Sequence, residues 1–143
     1  MLAIGVGVEV SQDARPARPN DPQHSWVGIV DDDPSLRAAL ARALRVNGIH
    51  VETFESAEEY LRRDVPGEPR CIVLDIHLGG LSGFDLQDAL EARGAAPGII
   101  FISAHDDMLA ARAPSAGVFG YLRKPFETNV LLALLREQLS KPG

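Results

Sequence analysis

Three consecutive aspartates, Asp31, Asp32 and Asp33, follow the apolar run WVGIV at residues 26–30, and Asp75 follows CIVL at 71–74. Ser103 ends GIIFI at 98–102, and Lys124 stands just beyond VFGYL at 118–122. Brought together, Asp31, Asp32 and Asp75 would repel one another, and without a counter-ion one of them would hold its proton to higher pH. Magnesium or manganese removes that conflict, because a hard cation takes carboxylate oxygens and keeps waters in its remaining positions. Lys124 adds a compact positive charge and Ser103 a hydroxyl. Such a set can bind a phosphoryl group and offer it a carboxylate nucleophile. The cation and lysine neutralise the equatorial oxygens, and the hydroxyl donates to one of them. Each residue also has a plainer use. Asp33 before Pro34 reads as a helix N-cap, Asp75 as a turn former, Ser103 as the cap of the next helix and Lys124 as a solvated charge. Their recurrence at the ends of four apolar runs argues for one shared site.

The runs themselves read as strands separated by helices. Pro34 opens a helix at the position where its missing N–H costs nothing, Leu36, Leu40, Ala43 and Leu44 recur at helical spacing, and Gly48 closes it. Residues 49–54 form a second strand, and Ser56 with Glu59 predicts a capping box for a short helix ending before Pro66. The continuous run 71–74 suits a strand buried on both faces. A helix over 84–93 ends at Gly94, and the strand 98–102 follows. A weaker helix over 106–116 contains Pro114, which shortens or kinks it. The strand 118–122 and a helix over 126–139 complete the pattern. Five strands alternating with five helices predict an α/β fold, a doubly wound parallel sheet with right-handed crossovers. Ligands bind such sheets outside the carboxyl ends of the strands, where the candidate residues fall. The second strand ends without a polar functional group, as an edge strand would.

With 143 residues, the chain has room for one domain. Its 14 basic and 20 acidic residues give a net charge of −6, which argues against a direct nucleic-acid-binding surface. Cys71 has no second cysteine to pair with, pointing to a reducing, cytoplasmic location, and its setting in an apolar strand makes it a core residue rather than a redox sensor. No apolar run approaches the ~20 residues of a membrane span. Residues 1–10 lack the basic flank of a signal peptide, and 11–25, SQDARPARPNDPQHS, is too polar and proline-rich to form a core. Residues 1–25 are therefore expected to be a flexible extension before a domain at 26–140, with no output domain after it.

Residues 26–140 resemble the receiver domain of two-component response regulators. The resemblance is carried by IVDDDPSLR (29–37), IVLDIHLGGLSG (72–83), IIFISAHDD (99–107) and GYLRKPF (120–126), and 72–107 leans toward the FixJ-type subgroup. It implies a flavodoxin-like sheet of order 2-1-3-4-5 in a bacterial phosphoprotein. By that resemblance Asp75 is the phosphoacceptor, Asp31, Asp32 and Asp75 hold Mg2+ or Mn2+, and His77 lends the metal its backbone carbonyl. Ser103 is then the switch hydroxyl, Lys124 the phosphate-contacting lysine, and Tyr121 the aromatic that changes rotamer. The Lys124–Pro125 bond is expected cis. The implied donor is a sensor histidine kinase or phosphotransfer protein. A downstream protein, or a second copy in a homodimer, would read the surface of the fourth helix, fifth strand and fifth helix. Such a switch assists only its own phosphorylation and dephosphorylation and is not otherwise an enzyme.

Two departures matter. The family usually has proline where this chain has Gly79, which loosens the loop after the third strand. Pro114 lies on the face used for dimer contacts and counts against the standard dimer. His77 and His105 hold positions that tune dephosphorylation in the family. Two imidazoles are also transition-metal ligands, but the oxygen cluster favours magnesium. Leu132, at the margin of the wide apolar stripe in the last helix, hints at a partner contact. Three alternatives remain: a haloacid-dehalogenase-type phosphatase using Asp31 and Asp33, which leaves Asp75 unexplained; a module that kept the fold but lost phosphorylation; and the receiver portion of a DNA-binding regulator.

Overall fold

The computed structural model describes residues 26–65, 67–105 and 117–141. The apolar runs become five strands: β1 (Val27–Val30), β2 (Val51–Phe54), β3 (Cys71–Asp75), β4 (Gly98–Ser103) and β5 (Val118–Arg123). All pair in parallel, in the order β2-β1-β3-β4-β5, which is the expected 2-1-3-4-5 sheet. Four helices are described: α1 (Pro34–Val46), α2 (Ala57–Leu61), α3 (Gly83–Ala92) and α4 (Thr128–Leu139). The helix expected over 106–116, with Pro114, lies outside the described residues, as does the 1–25 extension.

Side chains alternate across a strand, so every central strand feeds two cores. Val27, Ile29, Val73, Ile100 and Ile102 join Leu40 and Leu44 of α1 and Leu131 and Leu135 of α4. Val30, Ile72, Leu74 and Phe101 join Tyr60 of α2 and Leu86 and Leu90 of α3. Each fully buried aliphatic side chain contributes about 1.5–3 kcal/mol, and burial on both faces explains why these strands read as unbroken apolar runs.

Local signals set most of the helix ends. Asp33 caps α1, its carboxylate accepting from Ser35 N–H at 3.0 Å and Leu36 N–H at 3.3 Å. Ser82 and Asp85 form a reciprocal capping box on α3. The box expected at Ser56 and Glu59 is only half made. Ser56 Oγ accepts from Glu59 N–H at 2.9 Å, but the Glu59 carboxylate takes Glu55 N–H instead. α4 begins at Thr128, two residues later than expected, after a cis Lys124–Pro125 bond. Leu132 is a correction. It is 7% exposed within the α1–α4 core, whereas Val130 of the same helix is 46% exposed.

Register places the site. Val30 pairs with Leu74, Asp75 with Ile102, and Ser103 with Arg123. The next residues of neighbouring strands therefore emerge side by side at the carboxyl edge.

Candidate functional site

Asp31 follows β1, Asp75 ends β3, Ser103 ends β4, and Lys124 follows β5. The first three are buried although polar, which demands partners. Lys124 Nζ supplies one, lying 2.9 Å from Asp31 Oδ2 and 3.0 Å from Asp75 Oδ2. Backbone amides occupy the other oxygens. Asp33 N–H donates to Asp31 Oδ1 at 2.8 Å, and His77 N–H to Asp75 Oδ1 at 3.0 Å. Arg37 donates to the Asp31 carbonyl at 2.7 Å, fixing the start of the turn.

Burial pushes the Asp75 carboxyl above its ordinary range. The Lys124 hydrogen bond opposes that push, while the charge on Asp31 adds to it. For Lys124, burial alone would lower the ammonium pKa, but its bonds to Asp31 and Asp75 outweigh burial and the net shift is upward. The lysine thus holds its charge, and Asp75 sits in a buried pocket beside a second carboxylate.

Ser103 lies at the next strand end, fully buried. Its hydroxyl is turned to residue 105, accepting His105 N–H at 3.0 Å and donating to His105 C=O at 3.2 Å. The Ser103 carbonyl accepts Lys124 N–H at 2.7 Å, tying the hydroxyl strand to the lysine. Tyr121, half-buried on β5, stacks on Phe101 with centroids 5.7 Å apart, and Phe101 in turn meets Phe84 edge-on at 5.1 Å. His77 and His105 are exposed at the mouth.

The residues fit a hard divalent cation. One oxygen each from Asp31, Asp32 and Asp75 lies within 4.8 Å of the others, and Asp32 faces solvent, where waters complete a coordination shell. Asp31 Oδ2 is buried, and the Lys124 ammonium at 2.9 Å is its ion-pair partner. Three clustered carboxylates, two of them buried, share a single lysine, and that surplus of negative charge suits a further cation.

Residues 27–136 match the family model for the response regulator receiver domain. The chain belongs to this family. The transcriptional regulatory protein TdiR of Thauera aromatica is 39% identical over 125 residues, covering 82% of this chain and 55% of TdiR. The transcriptional regulatory protein FixJ of Azorhizobium caulinodans is 36% identical over 121 residues, 84% of this chain and 57% of FixJ. The receiver thus spans about half the length of these relatives. The structure of the response regulator TrrA from Thermotoga maritima, in complex with Mg2+–BeF, superposes with a TM-score of 0.70 at 24% identity. It covers 80% of this chain and 98% of that one, a likeness of fold.

Supports of this receiver's site that sequence reasoning did not find are backbone-directed. Gly83 opens α3 so close to Asp75 that a Cβ there would lie 2.5 Å from the Asp75 carbonyl oxygen. Glu58 of α2 accepts Leu81 N–H at 2.9 Å and so ties down the loop after β3. That bond holds its carboxyl below the ordinary range. The glycine-rich stretch 79–83 was the available signal for close approach.

Proposed function

We propose that this receiver is a phosphorylation switch that accepts a phosphoryl group on Asp75 from a sensor histidine kinase or phosphotransfer protein. The observation that carries the reading is the buried Asp75 carboxylate, held by Lys124 against Asp31 at the carboxyl ends of β3, β5 and β1. An O–P bond forms to Asp75 as the P–N bond of the donor phosphohistidine breaks, and the imidazole nitrogen keeps the electron pair. Asp31, Asp32, Asp75 and the His77 carbonyl would hold Mg2+ or Mn2+, whose charge offsets that of the phosphoryl oxygens when bound. Lys124 turns from its carboxylate partners toward the new dianion. A groove of about 490 Å3 between α1 and the start of α4, lined by Leu36, Ala39, Leu40 and Phe126, opens on Lys124 and would receive the donor.

Ser103 carries the signal. To donate to a phosphoryl oxygen its hydroxyl must leave the carbonyl of residue 105, which releases the start of the following segment. Tyr121 then turns toward the vacated space, and a downstream protein, or a second copy of the chain, reads the altered β5–α4 face. Phosphorylation moves this equilibrium only by its differential affinity for the two states. The receiver turns over no separate substrate, and its setting is the bacterial cytoplasm. TdiR and FixJ, each about twice the matched length, are named transcriptional regulatory proteins. The same switch therefore also suits the receiver portion of a longer DNA-binding regulator.

Incubation with acetyl phosphate, with and without Mg2+, read by intact mass, tests the assignment. One magnesium-dependent adduct, absent in Asp75→Asn, is expected. An adduct that survives Asp75→Asn, or none at saturating donor, overturns it. Steady turnover of a small phosphate ester would instead favour a phosphatase.

A further inference from the structure

Two imidazoles meet above the Asp75 pocket. His77 and His105 each lie two residues beyond a strand end, Asp75 on β3 and Ser103 on β4. Their ring centroids stand 4.4 Å apart at an interplanar angle of 56°. The backbones beneath them are fixed by the site itself, through His77 N–H to Asp75 Oδ1 and His105 N–H to Ser103 Oγ, both 3.0 Å. Both side chains are exposed, and among the described residues neither ring has a hydrogen-bond partner. Anchored backbones and uncommitted ring nitrogens make a chelating pair whose rotamers remain adjustable.

The spacing suits a shared ion. Two imidazole nitrogens at about 2.0–2.1 Å from a tetrahedral ion set their ring centroids roughly 5 Å apart. A small rotation of two exposed rings closes the difference. We propose that His77 and His105 form a second metal site, for a borderline divalent ion of the Zn2+ class. Its ring-nitrogen ligands are distinct from the oxygen ligands of Asp31, Asp32, Asp75 and the His77 carbonyl. Imidazole suits zinc, whereas the carboxylate cluster suits magnesium, so one pocket mouth sorts the two ions by ligand type. With only two protein ligands the ion keeps water in its other positions and exchanges readily. When held, it bridges the β3 and β4 ends across the entrance to Asp75. Zn2+ therefore restrains entry of a phosphoryl donor. This last effect rests on the phosphoacceptor reading; the binding itself does not.

The test is calorimetric titration of Zn2+ into the full chain at saturating Mg2+, with the imidazole ring signals followed by NMR. One site is expected, with both ring signals shifted. Either His77→Ala or His105→Ala weakens it by about tenfold or more, since even outer-shell losses cost that much. Asp32→Asn leaves it unchanged. Equal binding in the histidine variants, or loss of binding in Asp32→Asn, overturns the site. In the mass assay with acetyl phosphate, Zn2+ slows adduct formation in the parent and not in His105→Ala, whereas equal slowing of both overturns the capping role. If the parent takes no phosphoryl group at all, the function reading fails while the isotherm still decides the metal site.

Discussion

Lys124 touches two buried carboxylates at once, 2.9 Å from Asp31 and 3.0 Å from Asp75. Removing its charge leaves Asp31 and Asp75 facing each other with only backbone amides for support. Lys124→Met keeps the stem and deletes the ammonium. In Mg2+-free buffer it is expected to lose about 1.5–3 kcal/mol, the range for hydrogen bonds to charged groups, measured by urea unfolding. Added Mg2+ should then restore more stability to the variant than it adds to the parent, because a more negative pocket binds a cation more tightly. An equal response to Mg2+ in both proteins would contradict the shared-charge account. At this scale Asp31, Asp32, Asp75, Ser103 and Lys124 were legible, because each follows an apolar run whose end a parallel sheet must bring to one rim. The attachment of the Ser103 hydroxyl to residue 105 was not. It depends on loop dihedrals, which leave no periodicity in the sequence.

Where α3 starts against β3, the backbone leaves no room for a side chain. A Cβ on Gly83 would lie 2.5 Å from the Asp75 carbonyl oxygen and 3.0 Å from Ile76 Cα, while Gly83 N–H donates to the Ile76 carbonyl at 2.9 Å. No rotamer relieves contact with backbone. Gly83→Ala should therefore cost about 1–3 kcal/mol from overpacking, although alanine is roughly 1 kcal/mol the better helix former. It should also slow adduct formation, since the displaced atoms belong to Asp75, the proposed acceptor. Gly79 is the control, for a Cβ there meets nothing within 4 Å. If thermal unfolding and labelling rates for Gly83→Ala match those of Gly79→Ala, the clash is not limiting. Element order and sheet topology were readable because the apolar runs are short, β-rich and separated by cap and turn residues. The ends were less so. Glu59 bonded to Glu55 rather than Ser56, and α4 started late, because competing partners nearby decide caps. Leu132 was misjudged because the angle at which α4 lies on the sheet, not the helical period alone, sets which residues are covered.

Both faces of the sheet bury a titratable group that ionises only at alkaline pH, so the whole fold is coupled to one pH window. Cys71 lies fully buried in the core under α1 and α4, and Tyr60 in the core under α2 and α3. Burial pushes the Cys71 thiol from its ordinary value of 9.0 up to about 12, and burial likewise drives the Tyr60 phenol upward, partly opposed by Arg63. In each case the folded pKa exceeds the unfolded one. The protonated form is the one the fold favours, and the stability it contributes is complete below the unfolded pKa. As pH rises beyond 9.0 the unfolded chain releases the thiol proton while the folded chain retains it, so stability drains away toward about 12. The melting temperature is thus expected to fall steadily above pH 9.0, the lower end of that window. Cys71→Ala isolates the thiol's share. It loses about 1 kcal/mol at neutral pH from lost volume, yet its decline through the alkaline range is shallower than the parent's. Parallel declines in the two proteins would mean that Cys71 titrates alike in both states and is not sealed in the core. A thiol reagent that labels the parent rapidly at neutral pH without denaturant would lead to the same conclusion.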